Sequence, residues 1–216
     1  MAAVMLFSGF LLRVGGIDND FRRARELHKR GEATLAIRIA DSALDQALAQ
    51  KKPDEILEAL LFVNTILREQ NENEKALTRL YQVLDSARKM GYRKIQAVAL
   101  GKIGELFYDL GQLDEAIRYY DASLAVLKDT GWIREEIECI NGRAMAMALK
   151  GQWEEAMADF TRSLSYFDNR RLDDPILLSK THNYCGLILN RFSDYDNARN
   201  HFETALGIAE KFAAND

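Results

Sequence analysis

The chain has 216 residues, 48% of them hydrophobic and 29% charged, and carries a net charge of −4 at pH 7. That length can bury a substantial core, and the apolar content excludes a disordered chain. The acidic balance, with a pI near 5.5, argues against a nucleic-acid protein, which would present a basic face.

Residues 1–16, MAAVMLFSGFLLRVGG, open the chain with an apolar run broken by Ser8 and Gly9 and closed by Arg13. The run is shorter than the roughly 20 residues a membrane-spanning helix requires. It also lacks the basic region that precedes a secretory apolar core, although its length suits one. The expectation is an apolar arm packed on the body of the protein or on a partner, with a cleaved leader as the alternative. The basic stretch that follows, FRRARELHKR at 21–30, reads as a solvated helix face.

From residue 31 the chain repeats itself. GEATLAIRIADSAL (31–44), NENEKALTRLYQVL (71–84), GQLDEAIRYYDASL (111–124), GQWEEAMADFTRSL (151–164) and SDYDNARNHFETAL (193–206) begin 40, 40, 40 and 42 residues apart. The sixth residue is always alanine: Ala36, Ala76, Ala116, Ala156 and Ala198. The fourteenth is always leucine: Leu44, Leu84, Leu124, Leu164 and Leu206. The tenth runs Ala40, Leu80, Tyr120, Phe160, Phe202.

Ahead of each motif lies a second helical stripe, such as Leu100, Ile103, Gly104 and Phe107 before Gly111. Each unit is therefore a helix A, a tight turn at Gly31, Asn71, Gly111, Gly151 or Ser193, and a helix B. Glycine or asparagine at that turn suits a left-handed conformation. Gly91 and Gly131 stand at the ends of helices B, and Pro53 and Pro175 are expected between units as terminators. Asp173-Asp174 before Pro175 reads as a helix start. Ala116 and Gly104 are small where two backbones approach closely, and Tyr120 and Leu124 fill the groove toward the next unit.

Composition points the same way. Only two prolines interrupt the chain, and no segment alternates apolar and polar residues as a strand would. Cys139 and Cys185 are too few for a disulfide framework and fit a reducing compartment. The expected location is the cytoplasm, or outside the cell if residues 1–14 are a leader. His182 and Cys185 share a helix face without a second ligand pair, so neither a metal site nor a cofactor is expected. No catalytic motif is present.

The third unit, with Leu100, Ile103-Gly104, Phe107, Gly111, Ala116, Tyr120 and Ser123-Leu124, resembles the tetratricopeptide repeat (TPR) family. The resemblance covers about residues 17–213. Its period of 40 exceeds the usual one of about 34, and is similar to that of the long-period repeats in kinesin light chains, spindle-orientation adaptors and bacterial quorum-peptide receptors. The resemblance implies an all-α, right-handed superhelical solenoid of about five helix-turn-helix hairpins (17–56, 57–96, 97–136, 137–178 and 179–213) in a single domain. The first unit departs most, with Asp20 where a bulky residue belongs, which places it at an exposed end.

A solenoid of this kind receives a peptide segment of a partner protein on the surface lined by helices A. Helical counting assigns to that groove Arg25, His28, Thr65, Arg68, Glu105, Tyr108, Asn141, Met145, Asn183 and Asn190. Asn141 and Asn183 fall at the same position of neighbouring units, where amides could hold a peptide backbone. Arg25, His28 and Arg68 gather positive charge in the N-terminal half. Phe202, Leu206 and Phe212 leave an apolar face on the last helix, to be covered by a second copy of the chain or by a partner. The expected function is a non-enzymatic adaptor or scaffold that binds protein or peptide, without nucleic acid and without an integral membrane span. The alternative is the peptide-sensing domain of a larger regulator.

Overall fold

A computed structural model describes residues 16–169 and 172–214. The apolar arm at 1–14 lies outside the described residues. Among those described there are ten α-helices and no strand. They are α1 (Ile17–Lys29), α2 (Ala33–Gln50), α3 (Pro53–Glu69), α4 (Asn73–Met90), α5 (Arg93–Asp109), α6 (Leu113–Leu127), α7 (Ile133–Leu149), α8 (Trp153–Asp168), α9 (Pro175–Arg191) and α10 (Tyr195–Ala213). Odd-numbered helices are the A helices of the repeat and even-numbered ones the B helices. Packing divides the chain into two units, one ending at Ile95 and one beginning at Gln96.

The five A-to-B corners share one construction. Gly31, Asn71, Gly111, Gly151 and Ser193 all have positive φ, between 57° and 84°. In the third corner the Gly111 N–H donates to the Tyr108 carbonyl and the Gln112 N–H to the Phe107 carbonyl, both at 2.9 Å. The same six-to-one bond recurs from Glu32 to Leu27, Glu72 to Leu67, Gln152 to Met147 and Asp194 to Leu189. This is the Schellman closure, which satisfies orphan carbonyls and requires a left-handed residue just past the helix end. Glycine takes that conformation freely and asparagine at little cost, whereas Ser193 carries strain of about 1 kcal/mol.

The prolines act differently from expectation. Pro53 and Pro175 are each the first residue of a helix, where the missing N–H has no helical partner to lose. They start α3 and α9 rather than ending the helices before them. Asp174 caps α9, its carboxylate accepting from the Leu177 N–H at 2.9 Å.

In the first unit, α3 packs on α1 and α2, and α4 packs on α3. The buried alanines Ala24, Ala36, Ala40 and Ala76 let these helices meet around Leu44, Leu60, Val63 and Leu80. Arg79 reaches across from α4 to α2, donating from Nε to Asp41 at 2.7 Å and from Nη2 to Asp45 at 2.8 Å. Asp20, at the position where a bulky residue belongs, is buried. It sits in the first turn of α1, where the helix dipole favours a carboxylate.

In the second unit, α7 packs on α6, α8 and α9, and α9 packs on α10. Small residues again set the spacing. A Cβ on Gly104 would lie 3.1 Å from the Tyr120 ring, and one on Gly186 would lie 2.6 Å from the Phe202 ring. Tyr120 also abuts Gly142, where an added Cβ would meet its hydroxyl oxygen at 2.6 Å. One position breaks the apolar pattern. Arg143 stands where other A helices have Val63, Ile103 and Cys185, and forks onto Asp159 at 2.7 and 2.8 Å while reaching Asp121 at 2.6 Å. The two carboxylates hold its guanidinium charged, above its ordinary range despite partial burial.

Candidate functional site

The residues assigned to a groove fall in both units, and each set has its own geometry. In the first unit, Arg25 on α1 pairs with Glu58 on α3 at 2.7 Å, and His28 pairs with Glu69 at 3.2 Å. The His28 ring also stands edge-on to Phe62, with centroids 5.9 Å apart. Thr65 is exposed and donates its hydroxyl to the Leu61 carbonyl, and Arg68 is half-buried. The positive charge read at Arg25 and His28 is thus matched by glutamates. Such surface pairs contribute about 0–1 kcal/mol and exchange readily for other carboxylates.

In the second unit, the A helices α5, α7 and α9 bring a more varied set together. Lys102 and Glu105 pair along α5 at 2.8 Å, both largely buried. Tyr108 is half-buried one turn further on and feels Tyr184 of α9. Burial raises the Tyr184 phenol above its ordinary pKa, and the carboxylates of Glu105 and Glu138 raise it further while Lys102 opposes them. Met145 and Tyr184 are both half-buried against the cluster of Ala144, Ala148, Phe160 and Cys185. Asn183, Leu187 and Asn190 are exposed along α9. Two phenols, a thioether and a leucine are therefore interleaved with one cation and two carboxylates.

Asn141 departs from its assignment. It is 2% exposed, and its Nδ2 donates to Thr181 Oγ1 at 2.8 Å. The amide joins α7 to α9 inside the protein and does not face solvent. Asn183, its counterpart one unit later, is open. No surface ladder of two equivalent asparagines forms.

Tyr184 was not among the expected groove residues. The repeat itself carries the signal that finds it, since Phe62, Lys102, Gly142 and Tyr184 share one register, adjacent to the column of Leu61, Gly101, Asn141 and Asn183.

Of the three residues expected on an apolar end face, Phe202 turns inward against Gly186. Its ring fills the last hairpin and is only half-exposed. Leu206 and Phe212 do face outward, at 59% and 38% exposure. Phe212 borders a cleft of about 570 Å³ with Phe167, Leu172, Pro175, Leu178 and Ile208.

Both thiols are buried and unpaired. Burial pushes Cys139 and Cys185 up to about 12, which leaves them as small apolar groups. Among the described residues no three histidine, cysteine or carboxylate side chains converge as a metal site, and no helix is long and apolar enough to cross a membrane.

Residues 99–131 match the family model described as tetratricopeptide repeat. No curated protein matches the chain at a significant level. Among solved structures, the chain is similar to the Rap conjugation gene regulator of the plasmid pLS20 in complex with the Phr* peptide. That match has a TM-score of 0.73 and 16% identity, over 99% of this chain and 59% of the regulator. It is similar to BtubC (BKLC) from P. vanneervenii, with a TM-score of 0.68 and 20% identity over 81% of this chain and 72% of that one. A third is the putative kinesin light chain of Podosopora anserina, with nearly identical TPR-like repeats. There the TM-score is 0.64 and the identity 14%, over 91% of this chain and 96% of that one. At these identities the likeness is one of fold.

Proposed function

We propose, for a chain that carries a tetratricopeptide repeat at 99–131 within a TPR-like fold, that it is a non-enzymatic interaction module. It binds a peptide segment of a partner on the face of α5, α7 and α9. The observation that carries this reading is the convergence of Tyr108, Met145 and Tyr184 with Lys102, Glu105 and Glu138. Half-buried aromatic and thioether surface supplies contact area with little rotamer entropy left to lose. The flanking charges and the exposed Asn183 supply orientation. Within the first unit Arg25, His28, Thr65 and Arg68 are proposed as a separate contact set, in which a ligand carboxylate can replace the glutamates paired with Arg25 and His28.

Two neighbours favour the sensor variant of this reading. The pLS20 regulator is bound to the Phr* peptide, and a second Rap protein is bound to competence and sporulation factor. This chain spans 59% and 65% of those two proteins. As the peptide-sensing part of a longer regulator, it would pass binding on through its repeat junctions. The exposed Leu206 and Phe212 are proposed to be covered by a partner or a second copy of the chain. The buried free thiols fit a cytoplasmic setting.

A short-peptide display library panned on the purified chain tests the groove. Enriched peptides should bind the Tyr184→Ala and Leu187→Asp variants at least tenfold more weakly. Equal affinity for the chain and for both variants would move the site off this face.

A further inference from the structure

The last hairpin holds a pair of imidazoles that the peptide-binding reading does not use. His182 on α9 and His201 on α10 face each other with Nδ1 atoms 3.0 Å apart. Their ring centroids are 5.1 Å apart and their planes inclined by 42°. Both are half-buried. In register, His182 stands where the earlier A helices bury Leu60, Leu100 and Ile140. His201 stands where the earlier B helices carry Ile39, Arg79, Tyr119 and Asp159. An apolar A-helix position has thus become an imidazole that faces a second one, and only in this hairpin.

Two imidazole nitrogens this close need something between them, either a shared proton or a cation. Two imidazole nitrogens bound to one zinc-sized ion at about 2.0–2.1 Å, with an angle of about 90–110°, stand about 2.9–3.4 Å apart. The observed separation of 3.0 Å falls inside that range. We propose that His182 and His201 form a two-histidine chelate for a divalent transition-metal ion, which clips α9 to α10.

The surroundings agree with this ligand class. Burial lowers the pKa of both histidines, and His201 lowers that of His182 further while Asp168 opposes it. With the proton on Nε2, each Nδ1 offers a lone pair, the state in which imidazole binds metal. Among the described residues no third histidine, cysteine or carboxylate completes a protein cage, so water fills the remaining positions through the half-open side. Imidazole donors with water select zinc, nickel or copper and discriminate against calcium and magnesium, which demand oxygen ligands.

The test is titration calorimetry and thermal melting of the intact, tag-free chain with nickel chloride and with zinc chloride. One-to-one binding and a rise of several degrees in Tm are expected, with calcium chloride producing neither. His182→Leu installs the residue type that Leu60 and Leu100 already supply at this register, so it should fold while losing at least tenfold in metal affinity. His201→Gln should lose as much, and His28→Gln, at the third histidine of the chain, should lose nothing. Absence of saturable binding at millimolar nickel, or unchanged affinity in His182→Leu and His201→Gln, would leave only a shared proton between the rings and overturn the proposal.

Discussion

Replacing Gly142 by alanine tests whether the junction between the third and fourth hairpins is set by two glycines packed against one ring. The new methyl would stand 2.6 Å from the Tyr120 hydroxyl oxygen and 2.7 Å from Cε1. Comfortable contact begins at about 3.5 Å, so ring or helix must retreat by close to an ångström. The ring has little room to do so. It is 4% exposed, and a Cβ at Gly104 would already lie 3.1 Å from it. Overpacking of this kind costs about 1–3 kcal/mol, while glycine to alanine inside a helix gains about 1 kcal/mol. The contact here is severe, so a net loss of about 1–2 kcal/mol is expected.

Gly207 in α10 is the control, because an added Cβ there meets nothing within 4 Å. Gly207→Ala should gain about 1 kcal/mol from propensity alone. Urea denaturation followed by far-ultraviolet circular dichroism measures both. In a Tyr120→Leu background the Gly142→Ala penalty should disappear, giving a coupling of at least about 1 kcal/mol. A Gly142→Ala protein as stable as the parent, with no coupling to Tyr120, would refute the wedge.

Further outcomes follow from the charged and buried groups. Arg143→Ile should lose about 3 kcal/mol, because Asp159 is left buried without its cation. Arg143→Ile with Asp159→Leu should recover most of that loss in the same denaturation assay. Cys139 and Cys185, with thiols pushed up to about 12, should react with a disulfide reagent at pH 8 only as fast as the second unit opens. Prompt labelling of either in native protein would contradict their burial. In metal-free buffer, His182 and His201 hold fewer protons folded than unfolded, since burial lowers their pKa from 6.5. Stability should therefore hold above about pH 6.5, fall as pH drops from there to the lowered values, and level off below them. His182→Leu should flatten that slope in thermal melts taken between pH 5 and pH 8.

What the sequence disclosed well was whatever depends on local geometry. The five corners were legible because a left-handed residue is chemically distinctive and recurs at a fixed step. The buried alanines were legible for the same reason, and Ala36, Ala76, Ala116, Ala156 and Ala198 are all buried. What it disclosed poorly was which side of an A helix its neighbours cover. Asn141 and Asn183 are identical in register, yet Thr181 of α9 reaches over Asn141, and no later A helix stands over Asn183 among the described residues. Tyr184 was missed by a single position of phase, which helical counting does not resolve. Phe202 pointed inward because Gly186 leaves a hole for it, a pairing that composition alone does not reveal.

The differing bulk at the tenth position has a consequence for how the chain assembles. A tandem array of identical hairpins invites mispairing, since each could dock on any other. Here the tyrosine at 120 needs two glycines, at 104 and 142. The phenylalanine at 202 needs the one at 186, and the phenylalanine at 160 lies among Ala144, Ala148 and Cys185. A hairpin transplanted into another slot would bring a large ring against a socket cut for something smaller. Within the second unit the three hairpins thus carry their own keying, each ring matched to the socket of its own neighbours.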